Sequence, residues 1–191
     1  MQSAAWLAAT LGHFEEALVL SRQAVELDPL DVSEYTDLAV HAYYAGRLEE
    51  AIAACKKTGE LIPEHPSVQR WISRVYLAQS RPQEALAEMQ RSLDPGFRAQ
   101  GLALAYHALG RNRESDVALT ELIAKFHGTA AFQIAEVYAF RGEADRAFEW
   151  LERAYSQRDS GLTETKGDPL LKSLEHDPRY TAFLKKMRLP L

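Results

Sequence analysis

Ala17, Ala51 and Ala85 recur at 34-residue intervals, each inside the same short grammar. It reads Gly12-x-Phe14-x-x-Ala17-Leu18, then Gly46-x-Leu48-x-x-Ala51-Ile52, then Ser80-x-Pro82-x-x-Ala85-Leu86. Two irregular copies follow at Gly110-x-Asn112-x-x-Ser115 and Gly142-x-Ala144-x-x-Ala147-Phe148. A fixed period of this length means like supersecondary units stacked in a row, each too small to bury its own apolar face and each covered by the next.

The residues at the fixed places have physical reasons to be there. Gly12, Gly46, Gly110 and Gly142 fall where one helix stops and the chain reverses, a corner that commonly needs a left-handed backbone. The small anchors Ala17, Ala51, Ala85, Ser115 and Ala147 face small counterparts on the preceding helix, Ala5, Ala39, Ser73, Ala103 and Ala135, so that two antiparallel helices can approach closely. Pro29 and Pro63 stand just past the second helix of their units, where proline ends one helix and can open another. The spacing predicts helices over 3–11, 14–27, 32–45, 48–61, 66–79, 82–92, 97–109, 112–126, 128–141 and 144–157, with no β-sheet. Asp94-Pro95-Gly96 comes four residues early against the period, so a tighter turn and a kink are expected there.

These segments resemble tetratricopeptide repeats, with L-x-x-x-Y, G-x-[FY]-x-x-A and A-x-x-x-x-P in order. The clearest copy is 32–65, with Tyr35, Leu38, Ala39, Gly46, Leu48, Ala51 and Pro63 in place. The resemblance implies an all-α fold, a right-handed α–α superhelix of five helix pairs over residues 1–158. The first pair is shortened because Met1 falls at about the fourth position of its motif. Residues 159–191 differ in composition. Asp168-Pro169 and Asp177-Pro178 each set a capping Asp before a first-turn Pro, predicting two short capping helices near 169–175 and 178–187. Their apolar residues are expected to cover the open face of the last pair, as a solenoid end requires. This ending also resembles the C-terminal closure of repeat arrays in multidomain bacterial regulators that carry cyclase, kinase or transcription-activator domains.

Charge and composition narrow the partners. With 22 basic and 27 acidic side chains the net charge is −5, the wrong sign for a nucleic-acid-binding body. Residues 1–64 carry 4 basic and 11 acidic groups, whereas 166–191 carry 6 and 3. No stretch approaches the ~18–20 apolar residues of a membrane span, and there is no secretory signal, so a cytoplasmic location is expected. The lone Cys55 has no disulfide partner and suits a reducing compartment.

Catalytic chemistry finds little support. The six histidines are scattered without ligand spacing, Cys55 stands at a packed helical position, and no phosphate-binding glycine loop is present. No enzyme activity, cofactor or metal is expected. The superhelix instead offers a concave surface lined by the first helix of each pair. Register places Thr36, Val40, Tyr43 and Tyr44, then Arg70, Arg74 and Leu77, then Gln100, Leu104 and His107, then Phe132 and Glu136 on it. That mix suits an extended peptide or short helix of a protein partner. Arg70 and Arg74, four residues apart, can grip an acidic side chain or a C-terminal carboxylate, form a solvated basic stripe, or pair with a neighbouring acid. Tyr43 and Tyr44 serve either packing or recognition. The carboxylate clamp of chaperone-binding family members is not expected, because Gln2, Trp6 and Asp37 occupy its first three places. The alternative role is homo-oligomerisation, a homodimer formed through Trp6, Leu7 and Leu11 on the first helix.

Overall fold

A computed structural model describes residues 2–190. Ten α-helices pair in chain order: α1 (Gln2–Thr10) with α2 (Phe14–Leu27), α3 (Val32–Tyr44) with α4 (Leu48–Leu61), α5 (Pro66–Ala78) with α6 (Pro82–Arg91), α7 (Pro95–Ala108) with α8 (Asn112–Phe126), and α9 (Ala131–Phe140) with α10 (Ala144–Gln157). Two 3₁₀ segments, Ser160–Glu164 and Pro169–Leu174, and a last helix α11 (Pro178–Lys186) complete the chain. No β-strand occurs among the described residues.

Every corner within a pair closes the same way. At the second, Arg47 N–H donates to Ala42 O at 2.8 Å and Gly46 N–H to Tyr43 O at 3.0 Å. These two hydrogen bonds satisfy carbonyls that a helix end leaves unpaired and put the corner residue in the left-handed region. Glycine takes that place four times, with φ from 71° to 86°. Ser80 takes it in the third pair, at φ 57°. The small anchors then meet at the crossings. Ala17, Ala51, Ala85, Ser115 and Ala147 are wholly buried, and Ser73 and Ser115 also donate across the crossing, to Ala85 O at 3.2 Å and Ala103 O at 2.7 Å.

The irregular third repeat shortens its outer helix. α6 ends at Arg91, and Ser92–Asp94 leads straight into α7, where Asp94 accepts from Phe97 N–H at 2.7 Å and Pro95 fills the first turn. Gly101 lets α7 lie against Met89, because a Cβ there would sit 1.9 Å from Met89 Sδ.

The first helices of successive pairs, α1, α3, α5, α7 and α9, pack on one another as well as on their partners. They form an inner layer, with the second helices behind, which is the arrangement of an α–α superhelix. α11 packs on the last pair, where Tyr180, Phe183 and Leu184 join Phe148 and Leu151. The expected first capping helix is instead the 3₁₀ segment Pro169–Leu174. It wedges between two clusters, Leu170 joining that of α7–α9 and Leu171 and Leu174 that of α9–α10. The residues before it touch the last pair through Leu162 and also run along the inner helices as far as α1.

Candidate functional site

The segment 159–168 contains one aliphatic side chain, Leu162, and two glycines, Gly161 and Gly167. Such a stretch gains little by hydrophobic burial and must be held by polar contacts and close backbone approach. Asp159 opens it, accepting from Gly161 N–H at 2.9 Å and from Phe132 N–H on α9 at 3.1 Å. From there the 3₁₀ turn Ser160–Glu164 contacts α9, α10 and the far helix α1. Gly161 lies on the ring of Phe132, and Gly167 lies so near Phe14 on α2 that a Cβ would fall 2.2 Å from its ring. Lys166 lies over Gly12. The chain then doubles back, fixed by Tyr180 Oη donating to Thr165 O at 2.7 Å, and reaches α9 again. The tail thus bridges the first repeat and the last across the inner surface.

Two of its carboxylates meet the inner helices. Glu164 Oε2 accepts from Tyr44 Oη at 2.8 Å and lies 3.5 Å from Arg70 Nη2. Asp168 uses one oxygen to cap the 3₁₀ segment, accepting from Leu170 N–H at 2.8 Å, and the other to pair with Arg74 Nη1 at 3.3 Å. Arg74 Nη2 also reaches Glu136 Oε1 at 2.5 Å, and the Gln100 amide closes on Glu136 Oε2. Aromatic rings frame the cations. The Arg70 guanidinium lies 4.8 Å from the ring centroids of both Trp71 and Phe97, and that of Arg74 5.1 Å from Trp71.

The electrostatics follow from this count of groups. Two guanidiniums face three carboxyls in a space almost free of water. Burial first, and then the neighbouring Asp168, push the Glu136 carboxyl up to about 8 against the pull of Arg74. A proton held there at neutral pH takes the charge of Glu136 out of the cluster. Burial alone would discharge Arg74, but Glu136 and Asp168 outweigh it and hold it charged. Burial raises the phenols of Tyr43 and Tyr44, keeping both as neutral hydroxyls. Oxygens of Glu136, Glu164 and Asp168 lie within 4.8 Å of one another, the spacing of a cation site, but Arg74 already supplies the positive charge between Glu136 and Asp168.

The structure brings together Tyr43, Tyr44, Arg70, Arg74, Gln100, Phe132 and Glu136 around this tail. Of the alternatives for the arginine pair, the solvated stripe is excluded: Arg70 is 9% exposed and Arg74 2%. Tyr43 packs between Tyr44 and Trp71, whereas Tyr44 uses its hydroxyl on Glu164. The other residues lie apart. Thr36 donates to its own helix at Val32 O, and Val40 and Leu104 are core. Leu77 packs among α5–α7 side chains, and His107 stands edge-on to Phe140. Register alone missed Glu164 and Asp168, as well as Trp71 and Phe97. The available signal was the polar, glycine-flanked run 160–167, too poor in apolar residues to build an end cap.

Beside the tail the groove stays open. A cavity of about 570 Å³ is lined by Trp6, Arg70, Phe97, Phe126, Gln133 and Glu164 among others. Two buried donors at its edge, Nε and Nη2 of Arg70, have no hydrogen-bond partner.

Comparison with known proteins agrees with this architecture. Residues 3–58 match the tetratricopeptide repeat family model. No curated protein sequence matches the chain significantly. Among solved structures, a thermophilic tetratricopeptide-repeat protein of Thermus thermophilus superposes with a TM-score of 0.67 at 20% identity, covering 96% of this chain and 97% of that one. PilW, a type IV pilus biogenesis factor, superposes at 0.57 with 13% identity, over 98% and 90%. MamA superposes at 0.53 with 21% identity, over 79% and 92%. The family match is confined to the first repeats, and the chain as a whole has the fold of tetratricopeptide-repeat proteins. As a class these are protein-interaction scaffolds. No helix of the described residues is long and apolar enough to cross a membrane.

Proposed function

We propose that this chain is a non-catalytic scaffold that docks an extended peptide or short helix of a protein partner on its inner surface, in the cytoplasm. The observation that carries this reading is that the surface already holds a polypeptide of that kind. Residues 159–168 lie along the inner helices and are held through side chains that the helices present: Tyr44, Arg70 and Arg74. A surface that orders one weakly apolar segment has the means to order another, and the adjoining cavity offers aromatic faces that a partner's side chains would cover. Catalysis has less support. The one thiol, Cys55, is buried and pushed up to about 12 by that burial, far from a nucleophile's range. The homodimer reading weakens too, because Trp6 packs edge-on against His41 and only Leu7 of that patch is strongly exposed.

Site-specific photo-crosslinking in the source cell tests the proposal. A benzoylphenylalanine at Gln133, on the cavity wall, is expected to trap a protein, and one at Val117, exposed on the outer helix α8, is not. Adducts at Val117 alone would move the docking surface to the outer layer.

A further inference from the structure

We infer that residues 159–168 are a displaceable plug, and that the groove takes in their place an acidic segment of a protein partner, one carboxylate of which bridges the Nε–Nη2 edge of Arg70. The inference rests on the reading that the inner surface docks a partner, and adds what that partner looks like and what it must expel.

Arg70 supplies the main argument. Its guanidinium carbon lies over the rings of Trp71 and Phe97, 4.8 Å from each centroid, and the residue is 9% exposed. Nε and Nη2, the two donors without partners, share the edge that a carboxylate bridges side-on with two parallel hydrogen bonds. Glu164 stands at this edge but does not complete the pair. Its Oε2 is 3.5 Å from Nη2, beyond a good hydrogen bond, and is committed to the Tyr44 hydroxyl at 2.8 Å. The chain's own tail therefore leaves two buried charged donors unsatisfied, a recurring cost of docking it. A segment whose carboxylate seats squarely on that edge recovers what the tail leaves unmade.

The plug is held differently from the chain beyond it. It has a single aliphatic residue, Leu162, and is held mainly by polar contacts and close backbone approach, whereas Leu170, Leu171 and Leu174 just beyond it are deeply packed. Release of 159–168 can thus occur with 169–190 still in place. Arg158, in a left-handed backbone at φ 55°, closes α10 at the plug's upstream end. The 570 Å³ cavity against Arg70 and Glu164 gives an entrant a first foothold before the tail moves. The acids that remain after release, Asp94 and Glu136, are already occupied: Asp94 caps α7 and Glu136 is bracketed by Arg74 and Gln100. With the tail gone, Arg70 loses its only carboxylate neighbour within ion-pair distance among the described residues.

The full chain and its E164Q/D168N variant decide the matter. Both substitutions keep shape, and Asn preserves the cap at 168. Amide exchange reads the tail, and fluorescence anisotropy reads binding of two labelled peptides: Gly-Leu-Thr-Glu-Thr-Lys-Gly-Asp-Pro, the chain's own 161–169, and its Gln/Asn counterpart. In the variant, exchange at 160–168 should speed up about tenfold or more with α1–α10 unchanged, since two charged contacts are gone. The acidic peptide should bind the variant about tenfold more tightly than wild type, because the tethered competitor is weakened. Adding Arg70→Met should abolish that binding. Unchanged exchange at 160–168, or equal acidic-peptide affinity for both proteins, overturns the plug while leaving groove docking intact. Equal binding of the two peptides to the variant overturns the acidic partner and again leaves docking intact. No binding of either peptide to a variant whose tail exchanges freely overturns both this inference and the docking reading.

Discussion

Arg74 Nη2 lies 2.5 Å from Glu136 Oε1, joining residues 62 positions apart in the chain with 2% and 0% of their side chains exposed. Ion pairs this deep gain less from attraction than their distance suggests, because both partners were stripped of water to meet. Their value is in discrimination: Arg74 ties α5 to α9 and to the tail, and rejects any packing that leaves it alone.

Arg74→Met should therefore destabilise the chain by about 3–5 kcal/mol, the cost of leaving buried Asp168 without its cation and buried Glu136 without its donor. Urea unfolding measures it. R74M/D168N should recover part of the loss, since the double change removes the acid left without its cation; equal losses in the two proteins would mean Asp168 gains nothing from Arg74.

Glu136 sets a pH dependence of defined sign. Its folded carboxyl holds a proton up to about 8, whereas the unfolded chain releases it near 4.5. The stabilisation is fully present below 4.5 and is lost as pH rises through 8. Wild-type Tm should fall between pH 6 and pH 9, with a visibly flatter profile for Glu136→Gln. Parallel profiles would remove Glu136 as the titrating group.

Ser80 is the one intra-pair corner residue that holds a left-handed backbone without being glycine. Ser80→Gly should stabilise by about 1 kcal/mol, since glycine meets no Cβ clash there. Thermal unfolding reports it, and a lower Tm would show that the Ser80 side chain contributes more than its strain.

Cys55, 2% exposed and with its thiol raised to about 12, should resist alkylation in the native state. Iodoacetamide labelling at pH 8 should follow the rate of opening rather than reagent concentration, and fast labelling of the folded chain would refute the packed position.

The five corners and the crossings between paired helices were legible because they depend on contacts a few residues apart. Gly12, Gly46, Gly110 and Gly142 announce left-handed turns, and the small anchors announce close crossings, whatever the rest of the chain does. Of the residues that register placed on the inner surface, Tyr44, Arg70, Arg74, Gln100 and Glu136 meet around the tail, whereas Val40 and Leu104 are core. What covers them was not legible. Asp168-Pro169 reads locally as a helix cap, and Asp168 does cap, yet its second oxygen meets Arg74 94 residues away.

By itself the sequence determined the repeating unit and the helix-pair geometry, because both follow from local periodicity and backbone chemistry. Only the tertiary structure decided that residues 159–168 run along the inner helices before 169–186 cover the last pair. That choice depends on two arginines buried among aromatic rings needing carboxylates from a distant stretch of chain, and no local pattern encodes a pairing made across the whole length of the array.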